Sequence, residues 1–209
     1  MKQKAVLAFI VLVLYFMAQS AIAEEEKPGE ESKKLYIGLG FSYAIPKMGT
    51  DQNRIDLSQM ENTKGFNAKL GFTLKDDLFL EAEINNLQNF YWAESLYSGA
   101  IAAHVKLDIL TVILSGKYLM PLDFWGVQPF VTAGAGGLYY SAENYYFEFG
   151  SSSLDYRHDF QPCIKVGLGA EYPISNTIAI AAEASYVKAF LRLDYVSYYN
   201  YGLNVLFYF

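Results

Sequence analysis

Leu35-Tyr-Ile-Gly-Leu-Gly-Phe-Ser-Tyr43 sets Leu, Ile, Leu, Phe and Tyr at odd positions against Tyr, Gly, Gly and Ser at even ones. A period of two is that of a β-strand with unlike faces, whereas a helix would repeat every 3.6 residues. The pattern returns in Phe66, Ala68, Leu70, Phe72 and Leu74 against Asn67, Lys69, Gly71 and Thr73. It returns again in Leu78 to Ile84 against Phe79, Glu81, Glu83 and Asn85, and in Ile164 to Tyr172 against Lys165, Gly167, Gly169 and Glu171. Ile178 to Tyr186 and Tyr201 to Phe209 complete six clean segments. Two further segments are less regular. His104 to Tyr118 changes phase near Ile109-Leu110, which reads as a β-bulge or two pieces. In Gln128 to Tyr140, Val131, Ala133 and Ala135 are assigned to the outer face.

Eight strands are therefore expected, and their connections alternate in length. Lys75 to Asp77, Pro121 to Gly126 and Ser175 to Thr177 are short, whereas 47–64, 91–102 and 141–159 are long and polar or aromatic. Long connections at one end and tight turns at the other describe an all-β, closed, eight-stranded antiparallel transmembrane β-barrel, with external loops and short periplasmic turns. Both barrel termini would then be periplasmic.

Composition agrees with that choice. Of 209 residues 53% are hydrophobic, 17% aromatic and 18% charged, and the mean hydropathy is +0.11. Such a chain is too apolar to be disordered. A net charge of −6 argues against a nucleic-acid binder, which needs a basic face. The single Cys163 supplies neither an intramolecular disulfide nor a Cys-rich metal site and reads as packing. Lys2 and Lys4, the apolar run Ala5 to Ala18 and Ala21-Ile22-Ala23 have the layout of a secretory signal peptide, residues 1–23. Its removal leaves 14 Lys and Arg against 22 Asp and Glu, a net −8. Residues 24–34, EEEKPGEESKK, read as a flexible, charged periplasmic lead-in, and 35–209 as the barrel domain.

Energetics decide which face meets lipid, since a Lys or Arg on the lipid side at mid-membrane costs about 2–4 kcal/mol. Lys69, Glu81, Glu83, Lys117, Lys165, Glu171 and Glu183 all lie opposite the apolar set of their strands. They are expected to point into the lumen as an ion-pair network that plugs it, because eight strands leave a bore that side chains fill. Inward glycines at 38, 40, 71, 167, 169 and 202 would leave room for those long side chains. A soluble sandwich or lipocalin-like barrel would expose a polar face rich in Lys, Glu, Ser and Thr, and here that face is thin and glycine-heavy. Tyr36, Tyr43, Phe90, Tyr91, Trp92, Tyr118, Phe124, Trp125, Tyr172, Tyr186, Tyr198 and Tyr199 lie near strand ends and read as interfacial girdles.

Four stretches carry a family resemblance: LYIGLGFSY at 35–43, LSGKYLMPLDFWGVQPFVTAGAGGLYY at 114–140, IKVGLGAEYPISNTIAIAAEASY at 164–186 and YGLNVLFYF at 201–209. Together they resemble the eight-stranded outer-membrane barrels of the OmpA-like and opacity-type superfamily. The resemblance implies an outer-membrane protein whose last alternating residues, Tyr201, Leu203, Val205, Phe207 and Phe209, form the C-terminal signal read by the barrel assembly machinery. That superfamily includes anchors, adhesins, serum-resistance proteins and small pores, so it leaves activity open.

Chemistry is sparse. His104 and His158 are the candidate imidazole bases, and neither has a spacing to Ser98 or Ser151 to Ser153 that fixes a catalytic geometry. Gly134-Ala-Gly136-Gly137 and Gly167-Leu-Gly169 sit inside strands without a following helix, so they do not read as phosphate loops. Glu81 and Glu83 could hold a cation, but ion pairing with Lys69 or Lys117 is the simpler account. No catalytic, cofactor or metal site is assigned. The external segments are aromatic: Tyr91, Trp92, Tyr97, Tyr145, Tyr146, Phe147, Phe149 and Tyr156 are candidate contacts for an external protein or host-surface ligand. The expected role is structural or surface-interacting, in a monomer surrounded by outer-membrane lipid and lipopolysaccharide, with no nucleic acid. A small pore for hydrophobic or small polar solutes is the alternative, and a lipid-modifying enzyme the third.

Overall fold

The computed structural model describes residues 35–47, 61–75, 77–95, 101–148, 151–190 and 196–209, with the backbone alone given for 92–95, 101–105, 144–148 and 151–157. The signal and lead-in segments read at 1–23 and 24–34, and Tyr97 and Phe149, lie outside the described residues. Eight strands follow in chain order: β1 (Leu35–Pro46), β2 (Thr63–Lys75), β3 (Leu78–Ser95), β4 (Ile101–Leu119), β5 (Gln128–Glu148), β6 (Ser151–Pro173), β7 (Ile178–Ala189) and β8 (Ser197–Tyr208). Each pairs antiparallel with the next, and β8 returns to β1, closing the barrel. Closure pairs every strand on both sides over the height the eight share, which is what a wall without water beside it requires, while β3 past Gln88 and β6 before Cys163 extend beyond the ladders of β2 and β7. Among the described residues no helix is long and apolar enough to cross a membrane.

The period-two reading holds strand by strand. Phe41 and Phe66 are each 66% exposed and Leu203 57%, all on the outer face, whereas Ser42, Asn67 and Asn204 beside them are buried. In β5, Val131 faces outward with Ala133 and Ala135, and Phe130 and Thr132 face inward.

Local chemistry sets the turns. Phe124 and Val127 exchange both backbone hydrogen bonds, at 3.0 and 3.1 Å. Trp125 and Gly126 between them have φ of 58° and 84°. Two successive left-handed residues match the type I′ hairpin, whose twist suits paired strands. The Asp123 carboxylate accepts the Gly126 amide at 2.5 Å. At the β6–β7 turn the Ser175 hydroxyl accepts the amides of Thr177 and Ile178 at 3.3 and 3.1 Å.

The strand extents differ from the sequence reading. The described parts of 91–102 and 141–159 are strand rather than loop: β3 runs to Ser95, β4 begins at Ile101, β5 runs to Glu148 and β6 begins at Ser151. Tyr145, Tyr146, Phe147 and Tyr156 therefore stand on strands, as does Trp92. Aromatic runs favour strand geometry, and the hairpin ladder satisfies their backbone groups without lipid or a core. Strands of 18–23 residues exceed the roughly 10 needed to cross a bilayer. The wall made by β3 to β6 is thus taller than the wall made by the 12- and 13-residue β1, β2, β7 and β8.

The phase change read in the fourth strand also has another cause. β4 is unbroken against β5 from Ile101 to Leu119. The irregularity lies in β3, where Leu87 pairs with Ile109 but Phe90 pairs with Leu107, so one extra residue is inserted. Asn89 takes a φ of 63° there, and its amide donates to Asp108 Oδ1 at 2.8 Å. Below this bulge odd residues of β3 face inward; above it Phe90 does. The mixed hydropathy of β4 arises because its inward face is polar at Ser115 and Lys117 and apolar at Leu107, Ile109 and Ile113.

Candidate functional site

Three layers of inward side chains fill the barrel. At the end carrying the termini, Tyr36, Phe79, Leu119, Phe130, Leu206 and Tyr208 pack together. At the loop end, Leu87, Phe90, Leu107, Ile109, Leu138 and Tyr198 belong to a second apolar cluster. This outer cluster was not read from the sequence, where apolar residues were assigned to the lipid face. Its signal was present in 109–114, which apart from Thr111 is apolar at both parities, as in a strand buried on both sides. Three residues read as interfacial aromatics, Tyr36, Phe90 and Tyr198, are instead fully buried inside. The parity of β1 and β8 sends Tyr36 and Tyr198 inward, and the β3 bulge turns Phe90 in.

Between the clusters lie the seven charged side chains. The Lys69 ammonium is 3.0 Å from Glu81, 3.5 Å from Glu83 and 2.5 Å from Glu183. Lys165 pairs with Glu83 and lies 2.6 Å from Glu183. Two lysines thus serve three glutamates contributed by β3 and β7, and all five groups are buried. The remaining acceptor capacity is met by the Tyr36 hydroxyl, which donates to Glu81, and by Thr132, which donates to Glu183 at 3.4 Å. Nearer the terminal end Lys117 pairs with Glu171 at 2.7 Å, and Tyr208 donates to the same carboxylate. The Lys117 ammonium also lies 4.7, 4.9 and 5.6 Å from the ring centroids of Phe130, Tyr36 and Phe79. A cation over aromatic faces gains from the ring quadrupoles when it is desolvated.

Carboxylate oxygens of Glu81, Glu83 and Glu183 come within 4.8 Å of one another, a spacing that could hold a metal ion. Lys69 touches all three and Lys165 two, so the ammonium groups occupy the position a cation would take. Lys117 does not serve Glu81 or Glu83 as the sequence reading allowed; its partner is Glu171.

The inward glycines make room, but chiefly for other groups than the charged chains. A Cβ on Gly71 would lie 2.0 Å from the Tyr36 ring, and one on Gly167 would meet Thr132 and Ser185 before Glu183 at 3.0 Å.

The other residues singled out from the sequence lie elsewhere. Tyr201, Leu203, Val205 and Phe207 are exposed on the outer face of β8, Phe209 is exposed just past its end, and Tyr91 is exposed on β3. His104 stands on β4 opposite Ala93. His158 is exposed on β6 opposite Ser141, a serine the sequence reading had not considered, with Asp108 next in the row on β4. No hydrogen bond joins the three among the described residues, and Asp108 is engaged with the bulge amide. Cys163 is 2% exposed inside the outer cluster. A maleimide added to the folded protein should leave it unlabelled, and labelling should appear only after denaturation; rapid labelling of the native barrel would mean that the lumen is open there.

The model of the outer membrane protein beta-barrel domain family matches residues 9–209. Among solved structures, Ail, the attachment invasion locus protein of Yersinia pestis, is 18% identical with a TM-score of 0.52, covering 84% of this chain and 98% of that one. Neisserial surface protein A is 16% identical with a TM-score of 0.55, covering 84% and 97%. At these identities the likeness is one of fold. No functionally curated protein matches the sequence. The family match spans nearly the whole sequence and the fold is a closed eight-stranded barrel, so the chain belongs to the outer membrane protein beta-barrel domain family.

Proposed function

We propose that the protein is a non-conducting outer-membrane barrel that acts by surface contact: its lumen is plugged, its loop end faces outward and both barrel termini face the periplasm. The observation that carries this reading is the continuous filling of the bore, from Tyr36 and Phe130 through the Lys69 and Lys165 network to Phe90 and Tyr198. The tall wall of β3 to β6 supports it too, because strands that outrun the bilayer present a rigid platform on the outer side. Tyr91, Trp92, Tyr97, Tyr145, Tyr146, Phe147, Phe149 and Tyr156 are its proposed contact residues, toward an external protein or host-surface ligand. Export through residues 1–23, a monomeric state and a setting of outer-membrane lipid and lipopolysaccharide belong to the same reading. The outward row Tyr201, Leu203, Val205 and Phe207 on the barrel-closing strand β8, with Phe209 just past it, is its assembly signal. Phe209→Ala should lower the amount of folded barrel in the outer membrane several-fold; unchanged levels on outer-membrane fractionation would remove that assignment.

A small pore is the second reading, favoured by one observation. The amide oxygens of Asn67, Asn85, Asn200 and Asn204 are buried without a hydrogen-bond partner among the described residues. Buried polar atoms of this kind are ordinarily bridged by water, so part of the bore is polar enough to be wet.

The contact role is tested by displaying the protein on cells and comparing adherence to immobilised extracellular protein with that of a variant lacking 144–156. Loss of adherence with a folded, heat-modifiable barrel is expected. Equal adherence by both overturns the role of that hairpin.

A further inference from the structure

The buried charges of the bore do not balance. Lys69, Lys117 and Lys165 stand against Glu81, Glu83, Glu171 and Glu183, three positive charges and four negative, a net −1 among the buried charged residues described. Lys117 and Glu171 neutralise each other, so the surplus lies in the central network, where two ammonium groups meet three carboxylates. Tyr36 and Thr132 donate hydrogen bonds to those carboxylates without cancelling their charge. A buried charge cut off from water is costly until a counter-charge joins it.

Directly on the loop side of the network runs a row of asparagines. Lys69 on β2 is in register with Glu83 on β3, and one inward step higher Asn67 is in register with Asn85. Across Gly40 of β1 the same row continues to Asn204 of β8. Glycines let these side chains converge: a Cβ on Gly40 would lie 2.4 Å from Asn204 Oδ1, and one on Gly202 would lie 3.4 Å from Nδ2 of both Asn204 and Asn67. Asn67, Asn85 and Asn204 are only 5, 2 and 1% exposed, yet their Oδ1 atoms have no hydrogen-bond partner among the described residues. The Asn67 Nδ2 is engaged with Ser42 at 2.8 Å. Leu87, one inward step above Asn85, belongs to the outer apolar cluster that separates this place from the loop end.

We propose that the bore holds one alkali-metal cation between the Lys69 network and the asparagine row, taken up by the Oδ1 atoms of Asn67, Asn85 and Asn204 beside the Glu83 carboxylate, and that this ion cancels the surplus glutamate charge. The two observations are independent and meet at one place: a charge that lacks a counter-ion and three buried oxygens that lack a donor. Water would satisfy the oxygens but leave the charge. Amide and carboxylate oxygens are hard ligands, which suit alkali and alkaline-earth ions over transition metals. A divalent ion would overshoot to a net +1, and it ordinarily collects carboxylates of its own, whereas those here already hold lysines. The site lies beside the three-glutamate cluster, not within it, where the ammonium groups stand. It concerns the contents of the bore and does not depend on the surface-contact role proposed above.

The test is urea unfolding of the full barrel in nonionic micelles at pH 8, with sodium or potassium chloride exchanged for choline chloride at constant total salt. An ion that binds only the folded barrel raises its folding equilibrium constant about tenfold for each tenfold rise in ion concentration above the dissociation constant. Wild type should show that rise with sodium or potassium between about 0.01 and 0.5 M, and none with choline alone. Glu83→Gln, which brings the buried charge to zero, should abolish the dependence, and Asn85→Leu should shift it to at least about tenfold higher concentration. Gly116→Ala should retain it in full. Heat-modifiable gel mobility verifies folding of each variant, and the wild-type salt comparison stands without any of them. Equal stability of wild type in all three salts overturns the site. If stability is then equal at pH 8 but rises on acidification, a proton supplies the counter-charge instead. A gain from millimolar calcium that sodium and potassium do not give overturns the alkali-metal assignment, and an undiminished alkali dependence in Glu83→Gln and Asn85→Leu overturns the location.

Discussion

Lys69→Met should lower the stability of the barrel by about 3–5 kcal/mol, measured as the urea midpoint of its heat-modifiable gel shift. Lys69 is the one ammonium of the network within 3.5 Å of all three central glutamates. Removing it leaves Lys165 to neutralise Glu81, Glu83 and Glu183, with the Tyr36 hydroxyl as the side-chain partner left to Glu81 among the described residues. Breaking a buried pair from one side leaves a charge that water cannot reach, which is why the loss exceeds the net worth of the pair. Adding Glu183→Gln to Lys69→Met should recover part of the loss, since one uncompensated carboxylate is then neutral. A double variant as unstable as the sum of the two single ones would show that the groups do not interact. The Lys117 and Glu171 pair offers the contrast. Replacing both with apolar residues of similar volume should change stability far less than replacing either alone, because Phe79, Phe130 and Tyr36 already form an apolar setting for the site.

Gly71→Ala should be strongly damaging for a single added methyl. The added Cβ would sit 2.0 and 2.1 Å from Cε1 and Cζ of Tyr36. That ring has nowhere to go: it is fully buried, with its centroid 5.2 Å from the Tyr208 ring and 5.8 Å from Phe79, and its hydroxyl is held by Glu81. Overpacking of this kind costs about 1–3 kcal/mol where side chains can adjust, and the upper end or more is expected here. Two comparisons isolate the cause. Gly116→Ala should be near neutral, since nothing lies within 4 Å of its added Cβ. In a Tyr36→Ala background Gly71→Ala should also become harmless. If Gly71→Ala and Gly116→Ala have the same urea midpoint, the steric account of Gly71 is wrong.

Much of the fold is legible because one number, the strand period, couples the side-chain pattern to the wall. Once Leu35 to Tyr43 is read with period two, the charged residues of every clean strand fall on the other face from Phe41, Leu168 or Leu203. Where the pattern misleads, the inward face changes character along a strand. β4 is the clearest case: Lys117 and Ile109 share a face, so hydropathy alone suggests a break that the backbone does not contain. The break belongs to β3, at Asn89, where the sequence offers only an asparagine that tolerates a left-handed φ. Strand ends at Ser95 and Glu148 were illegible for a different reason. A hairpin that rises past the membrane has no lipid face, so polar and aromatic residues mix there as they do in loops.

The pairing of the charges was legible only in part. Parity places seven of them in the bore, but which lysine meets which glutamate depends on the stagger of strands across the barrel. Lys69 reaches Glu183 on a strand 114 residues away, and Lys165 reaches Glu83 across 82. The tyrosines that complete the network were hidden by the habit of tyrosine to mark interfaces. Tyr36 and Tyr208 use that same amphipathic character inside, with the ring in the terminal cluster and the hydroxyl on a carboxylate.

The central claim is that the bore is closed by its own side chains. Single-channel recording of the purified barrel in a planar bilayer tests it most directly. A bilayer that stays silent after insertion is verified, for wild type and for Glu83→Gln alike, is the predicted result. Steady ohmic conductance in wild type, with an ion selectivity that shifts in Glu83→Gln, would contradict it.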